Sequence, residues 1–190
     1  MSHKCHEEEA KASIGVVRFS IYVVSTSRYE AIRKGENVED VSGELATQII
    51  KSAGFEVVSK EIIPDSREAI IQALKKASTA GADIILFIGG TGITWDDVTV
   101  ETLELMFDKR IEGFGELFRF LSYQEIGPAA MISRATAGTY KHSAVFAIPG
   151  SPSAVELALK KLITPEAKHI VYLSRRSAPH IPLESLYFYN

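Results

Sequence analysis

Ile84-Ile85-Leu86-Phe87-Ile88, followed at once by Gly89-Gly90-Thr91-Gly92, is the stretch on which the reading of this chain turns. The apolar run has strand length. Because it is unbroken rather than alternating, it suits a central parallel strand covered on both faces. It is far shorter than the roughly 18 residues of a membrane span, and no longer apolar run occurs elsewhere. Glycines directly after such a strand let backbone N–H groups approach an anion, since no Cβ intervenes. The loop is not a Walker loop, because no Gly-Lys-Ser/Thr follows. It also lacks the G-x-G-x-x-G spacing of dinucleotide-binding turns. A phosphate cradle and a plain tight turn both remain open from composition.

Outward from this run the chain alternates strands and helices. Residues 14–24 and 55–63 are rich in β-branched and aromatic residues and predict strands, as does 144–148. Between the first two, 26–40 is polar and reads as a loop. A helix follows it, capped by Asp40 or Ser42, with Val41, Leu45 and Ile49 at four-residue spacing and Gly54 as its stop. Pro64 ends the second strand. The next helix carries Ile70, Leu74 and Ala77, with Asp65 as its expected N-cap in the capping-box spacing Asp65-Ser66-Arg67-Glu68. Thr99 is expected to cap a short helix. Phe114, Leu117, Phe118 and Leu121 predict the inner stripe of another. Residues 129–143 fit no single pattern. Ser151 and Pro152 open the last helix, as cap and first helical residue, with Val155, Leu159 and Leu162 inward.

This order points to right-handed crossovers and a mostly parallel sheet between helix layers. In such sheets ligands bind beyond the carboxyl ends of the strands. The segments there are Ser25-Thr26-Ser27-Arg28, Asp65-Ser66, Gly89 to Asp97, and Gly150-Ser151-Pro152-Ser153. Asp96-Asp97 would repel a phosphate at the glycine loop unless a divalent cation intervened; magnesium uses one or two carboxylates plus substrate oxygens. The other reading of Asp96-Asp97 is a solvated turn. Arg119, Arg134 and Lys141 are candidates to balance polyphosphate charge. His142 beside Lys141 pairs with nothing in sequence. No Gly-x-Ser-x-Gly elbow is present.

The 190 residues are 46% hydrophobic and 24% charged, with a net charge of −3, which suits a single globular domain over 13–175 and excludes overall disorder. The acidic balance argues against a nucleic-acid binder. Residues 1–12 read as a flexible tail despite His3, Cys5 and His6, and no apolar segment marks a secretory signal. Cys5 is the only cysteine, so internal disulfides and cysteine zinc sites are excluded, which fits a reducing cytoplasm. Residues 176–190 form a C-terminal extension. Its Leu183, Leu186 and Tyr187-Phe188-Tyr189 suggest a contact surface.

Taken in order, Asp40-Val41-Ser42-Gly43, Pro64-Asp65, Gly89-Gly90-Thr91-Gly92, Asp97-Val98-Thr99 with Glu101, Gly113 through Arg119, Ser133-Arg134-Ala135, Ala137-Gly138 and Pro149-Gly150-Ser151-Pro152 resemble the MoaB/MogA family. These are the molybdopterin adenylyltransferases of molybdenum cofactor biosynthesis, related to the gephyrin G domain. The resemblance covers about 14–163. It implies a three-layer αβα sandwich with a mostly parallel sheet, assembled as a trimer or hexamer. It implies transfer of AMP from Mg-ATP to the terminal phosphate of molybdopterin, releasing pyrophosphate, with hand-over of the product to a molybdenum insertase.

The resemblance places the two key aspartates on Asp65 and Asp97, as catalytic and Mg2+-site carboxylates. Substrate-binding positions fall on Gly89, Gly90, Thr91, Gly92, Glu116, Arg119, Ser133, Gly150, Ser151 and Ser153. It implies neither a membrane nor a nucleic-acid partner. Two departures stand out. Trp95-Asp96 replaces the family's Pro-Arg, reversing the local charge, and Ser25-Thr26 replaces Ser-Asp. Trp95-Asp96 leaves room for a non-catalytic molybdopterin-binding scaffold, and a nucleotide phosphohydrolase on the same fold is the third reading.

Overall fold

Arg18–Val24 (β1), Ile84–Ile88 (β3) and Ser143–Ile148 (β6) lie side by side and parallel at the centre of a six-stranded sheet. The computed structural model describes residues 13–175; the N-terminal tail and the aromatic C-terminal extension lie outside them. Glu56–Ile63 (β2) adds to β1 in parallel. On the other side, Thr136–Tyr140 (β5) runs antiparallel to β6, and Lys109–Arg110 (β4) antiparallel to β5. The order is β2-β1-β3-β6-β5-β4.

Every residue of β3 is buried because helices cover both faces. Alternate residues point to opposite sides, so one strand feeds two cores. Phe19, Ile21, Ile84, Leu86, Ile88, Phe146 and Ile148 face one layer. That layer is Val41–Ser52 (α2), Glu112–Ile126 (α5) and a long final segment: Pro152–Leu157 (α6), a π-helical stretch over Ala158–Ile163, and Thr164–Arg175 (α7). Tyr22, Val24, Ile85, Phe87, Val145 and Ala147 face the other layer, against Ile70, Leu74 and Ala77 of Arg67–Thr79 (α3) and Leu103 of Thr99–Glu104 (α4). Each Val, Leu, Ile or Phe among them contributes about 1.5–3 kcal/mol on full burial. The expected αβα sandwich with a mostly parallel sheet is therefore the fold.

Several local expectations change. Thr26–Arg33 is a helix (α1), not a loop. It buries none of its residues, so it has no apolar stripe to read; Ser25 caps it by accepting from the Arg28 amide. In α2 Ala46, Ile49 and Ile50 are buried with Leu45 packed beside them, while Val41 is exposed and Asp40 is the cap, accepting from Gly43 N. Leu117 of α5 also points outward, beside Phe120 and Tyr123. Residues 129–143 resolve into the end of a 3₁₀ turn, Gly127–Ile132, and the hairpin of β5 with β6. The small residues of β5 have a cause: a Cβ on Gly138 would come within 2.4 Å of the Phe107 ring.

The two sheet edges differ from the centre. β4 is only Lys109 and Arg110, both exposed, and β2 carries Glu56, Lys60 and Glu61. At the amino end of the sheet, buried Asp83 accepts from Arg18 N and pairs with Arg175, tying the end of α7 to β3.

Candidate functional site

The four parallel strands deliver their carboxyl ends to one side, and all four polar segments expected there are on that side. Gly89 and Gly90 both have positive φ, +105° and +61°. Gly89 N donates to Ile148 O at 2.9 Å, and Thr99 N donates to Gly90 O at 3.0 Å. The loop is thus fastened to β6 on one side and to α4 on the other. The amides of Gly90, Thr91 and Gly92 take no hydrogen-bond partner among the described residues.

Asp65 and Asp97 flank this loop. A Cβ on Gly90 would sit 2.4 Å from Asp65 Oδ2, and a Cβ on Gly92 would sit 2.4 Å from Asp97 Oδ2. Glycine is therefore needed at both places so that a carboxylate can lie against the backbone. Asp97 accepts from Thr94 N at 3.1 Å and from the Thr94 hydroxyl, closing the turn that carries Trp95 and Asp96. Asp65 is half-buried. Its Oδ1 accepts from Val98 N at 3.3 Å, and its own amide donates to Thr26 Oγ1 at 3.0 Å.

The expected caps shift by one residue. Ser66, not Asp65, caps α3, accepting from Ala69 N at 3.3 Å. Val98 occupies the cap position of α4 without a side-chain bond, and Thr99 Oγ1 is buried against Asp65 instead. That nearby hydroxyl works against the burial that raises the Asp65 carboxyl. Both shifts release the aspartate from helix-end duty.

Burial pushes the Asp65 carboxyl above its ordinary range. The Val98 amide opposes this, while the charges of Asp97 and Asp96 add to it. Asp65, Asp96 and Asp97 form no ion pair among the described residues. An acid whose folded pKa is raised favours the folded state at low pH, and this contribution is lost as pH rises through the raised value. Asp65→Asn keeps an oxygen for Val98 N and removes the charge. It is expected to be at least as stable as wild type at pH 7, with the difference vanishing in acid below the ordinary carboxylate range. Thermal melts of both proteins across that window check this; a variant less stable at pH 7 contradicts it.

Arg134 does not remain free to meet phosphate. It pairs with Glu101, donates from Nε to Thr91 O at 3.1 Å, and donates from Nη2 to Gly92 O. It clamps the glycine loop from outside, and its hydrogen bond holds the Glu101 carboxyl below its usual range. Lys141 and His142 lie in the β5–β6 hairpin, at the opposite end of the sheet from the aspartates, so Lys141 cannot offset charge at the site.

The remaining expected positions divide. A Cβ on Gly150 would lie 3.5 Å from Gly89 Cα, and the Gly150 carbonyl accepts from Ser42 Oγ at 2.7 Å, so Gly150 borders the loop. Ser151 caps α6, accepting from Ala154 N at 3.3 Å, and its hydroxyl meets that of Ser153. Ser133 ends the 3₁₀ turn just before Arg134. Arg119 lines a separate small recess of about 100 Å³ with Glu104 and Thr136. Glu116 is exposed on α5 without a hydrogen bond to the loop or to either aspartate. Thr26, Thr99 and Glu101 complete the site. Glu101 is visible in the resemblance, but its pairing with Arg134 across 33 positions has no signal in spacing.

A protein with a mostly parallel sheet and a carboxylate-flanked glycine loop at its strand ends is the class defined here. The chain belongs to the family described as "Probable molybdopterin binding domain", whose profile matches residues 20–169. It is 44% identical over 167 residues to molybdenum cofactor biosynthesis protein B of Bacillus cereus, covering 87% of this chain and 95% of that protein. Two crystal structures share the fold. One, a molybdenum cofactor biosynthesis protein B, has 43% identity and a TM-score of 0.77 over 86% of this chain and 98% of that one. The other, the tungsten cofactor synthesizing protein MoaB from Pyrococcus furiosus, has 37% identity and a TM-score of 0.76 over 86% and 99%. No helix among the described residues is long and apolar enough to cross a membrane.

Proposed function

We propose that this chain acts in molybdenum cofactor biosynthesis, transferring AMP from ATP to the terminal phosphate of molybdopterin. The observation that carries the reading is one juxtaposition: two carboxylates without basic partners flank a glycine loop whose amides are free. Such a pair repels a phosphate unless a cation intervenes, and hard oxygen donors beside a phosphate site suit Mg2+. Asp65 and Asp97 would hold Mg2+, which supplies charge neutralisation at the triphosphate.

The remaining work falls to the chain. A phosphate oxygen of molybdopterin forms a bond to the α-phosphorus, the bridging bond to the β-phosphate breaks, and pyrophosphate leaves with the electron pair. Catalysis of this kind rests on positioning and charge stabilisation. The Gly90, Thr91 and Gly92 amides donate to the phosphoryl oxygens. Arg134 and Glu101 hold those amides in place, so little reorganisation accompanies the transition state. The exposed Leu117, Phe120 and Tyr123 on α5, with Met131 beside them, support assembly of several copies.

The test combines protein, ATP, Mg2+ and molybdopterin and follows pyrophosphate and the adenylated pterin. Pyrophosphate that appears only with the pterin is the expected result. Release without it would make the protein a nucleotide phosphohydrolase, and no turnover with tight pterin binding would make it a scaffold.

A further inference from the structure

Trp95 is fully exposed, at 100%, in the turn between the glycine loop and Asp97. Nothing in that turn requires an indole: Thr94 and Asp97 close it between themselves. The side chain lines a groove of about 590 Å³ that also contains Asp97, Arg67 and Ile93. Ile93 is 67% exposed, so the wall on this side is apolar and open. Arg67 stands at the start of α3, near enough to Glu101 to help hold its carboxyl down, and forms no ion pair among the described residues. The groove therefore joins an aromatic face, a free guanidinium and the Asp97 carboxylate, and its lining starts at Ile93, the residue that follows Gly92 of the loop.

We propose that Trp95 is a stacking platform for the planar heteroaromatic ring of the substrate whose phosphate sits at the glycine loop. The inference rests on the reading of this site as one for phosphate-bearing substrates. An exposed aromatic ring offers about 150–250 Å² of surface, and stacking works for any flat π-face. The groove's composition favours a heterocycle over an aliphatic chain. An aliphatic ligand would desolvate Asp97 and Arg67 without pairing them, whereas ring nitrogens and exocyclic amino groups can meet both. Both a purine base and a pterin have this chemistry.

Trp95 is the only tryptophan of the chain, so its emission reports on this turn alone. The full-length protein is titrated with Mg-ATP, with Mg-tripolyphosphate, and with a soluble phosphorylated pterin, binding being followed by fluorescence and by calorimetry. One ring-bearing ligand is expected to quench Trp95, and tripolyphosphate to leave it unchanged. Which ligand quenches identifies the ring. Trp95→Ala should weaken that ligand by about 5- to 150-fold while Trp95→Phe retains most of the affinity. Unchanged circular dichroism confirms that both variants fold. Emission that ignores both ring ligands, or a Trp95→Ala protein that binds them as wild type does, overturns the proposal. So does emission that responds only to protein concentration, which would put Trp95 at a contact between copies. Quenching that persists where no AMP is transferred would remove the adenylyltransferase reading and leave the platform standing.

Discussion

With Asp97 replaced by asparagine, pyrophosphate release in the presence of ATP, Mg2+ and molybdopterin is expected to fall by about 10²–10³, the loss typical when one group stabilising transition-state charge is removed. The fold should survive. Asp97 accepts two hydrogen bonds from Thr94, and asparagine has an oxygen in the same place. The side chain also lies in a loop beyond the strand end, outside both cores. What changes is the charge, and with it the attraction for a cation. Wild-type protein should therefore melt at a higher temperature in Mg2+, and Asp97→Asn should lose most of that increment. Circular dichroism, thermal melts with and without Mg2+, and turnover make up the comparison. Turnover near wild type would remove Asp97 from the mechanism.

The largest effect on stability is expected at Gly89. Its φ of +105° is one that residues with a side chain rarely adopt, and a Cβ there would come within 2.4 Å of Val24 O. That oxygen belongs to the backbone at the end of β1, and Gly89 N is held by Ile148 O, so neither partner can yield cheaply. Strain of about 1–3 kcal/mol adds to overpacking of similar size. Gly89→Ala should lose about 3 kcal/mol, or about 10 °C in Tm for a chain of this size. Gly113→Ala is the control. It lies in the first turn of α5 with nothing within 4 Å of the added Cβ, and should hold or gain stability. Equal melting of the two variants would show that the loop is not fastened as described.

The sheet was legible because its signals are local. The unbroken 84–88 run, the Ile70-Leu74-Ala77 stripe and the Ser151-Pro152 cap each fit within a turn or two of chain, and each is where the residues said it would be. Illegible features depend on distant partners. Helix α1 has no buried side, so periodicity had nothing to report. Asp65 has a capping-box spacing, yet Ser66 takes the cap and the carboxylate turns to Val98, 33 positions away. Among the basic candidates, chain order could not tell Arg134, bound to the loop, from Lys141 at the far end of the sheet. The strand-end rule still collected Asp65, the glycine loop, Asp97 and Gly150, because parallel strands bring their following residues to one side whatever lies between them.

The sheet's two margins have a bearing on how the protein behaves when crowded or partly unfolded. Open β edges recruit further strands, from another copy or a misfolded one, and growth by that route ends in fibres. Here one margin is a two-residue strand made wholly of cations, and the other carries Glu56, Lys60 and Glu61 among its eight residues. A strand approaching either margin meets charges it must desolvate before it gains a ladder. The apolar runs most prone to cross-β growth, Ile84–Ile88 and Ser143–Ile148, are shut into the middle of the sheet and become available only when its neighbours have already let go.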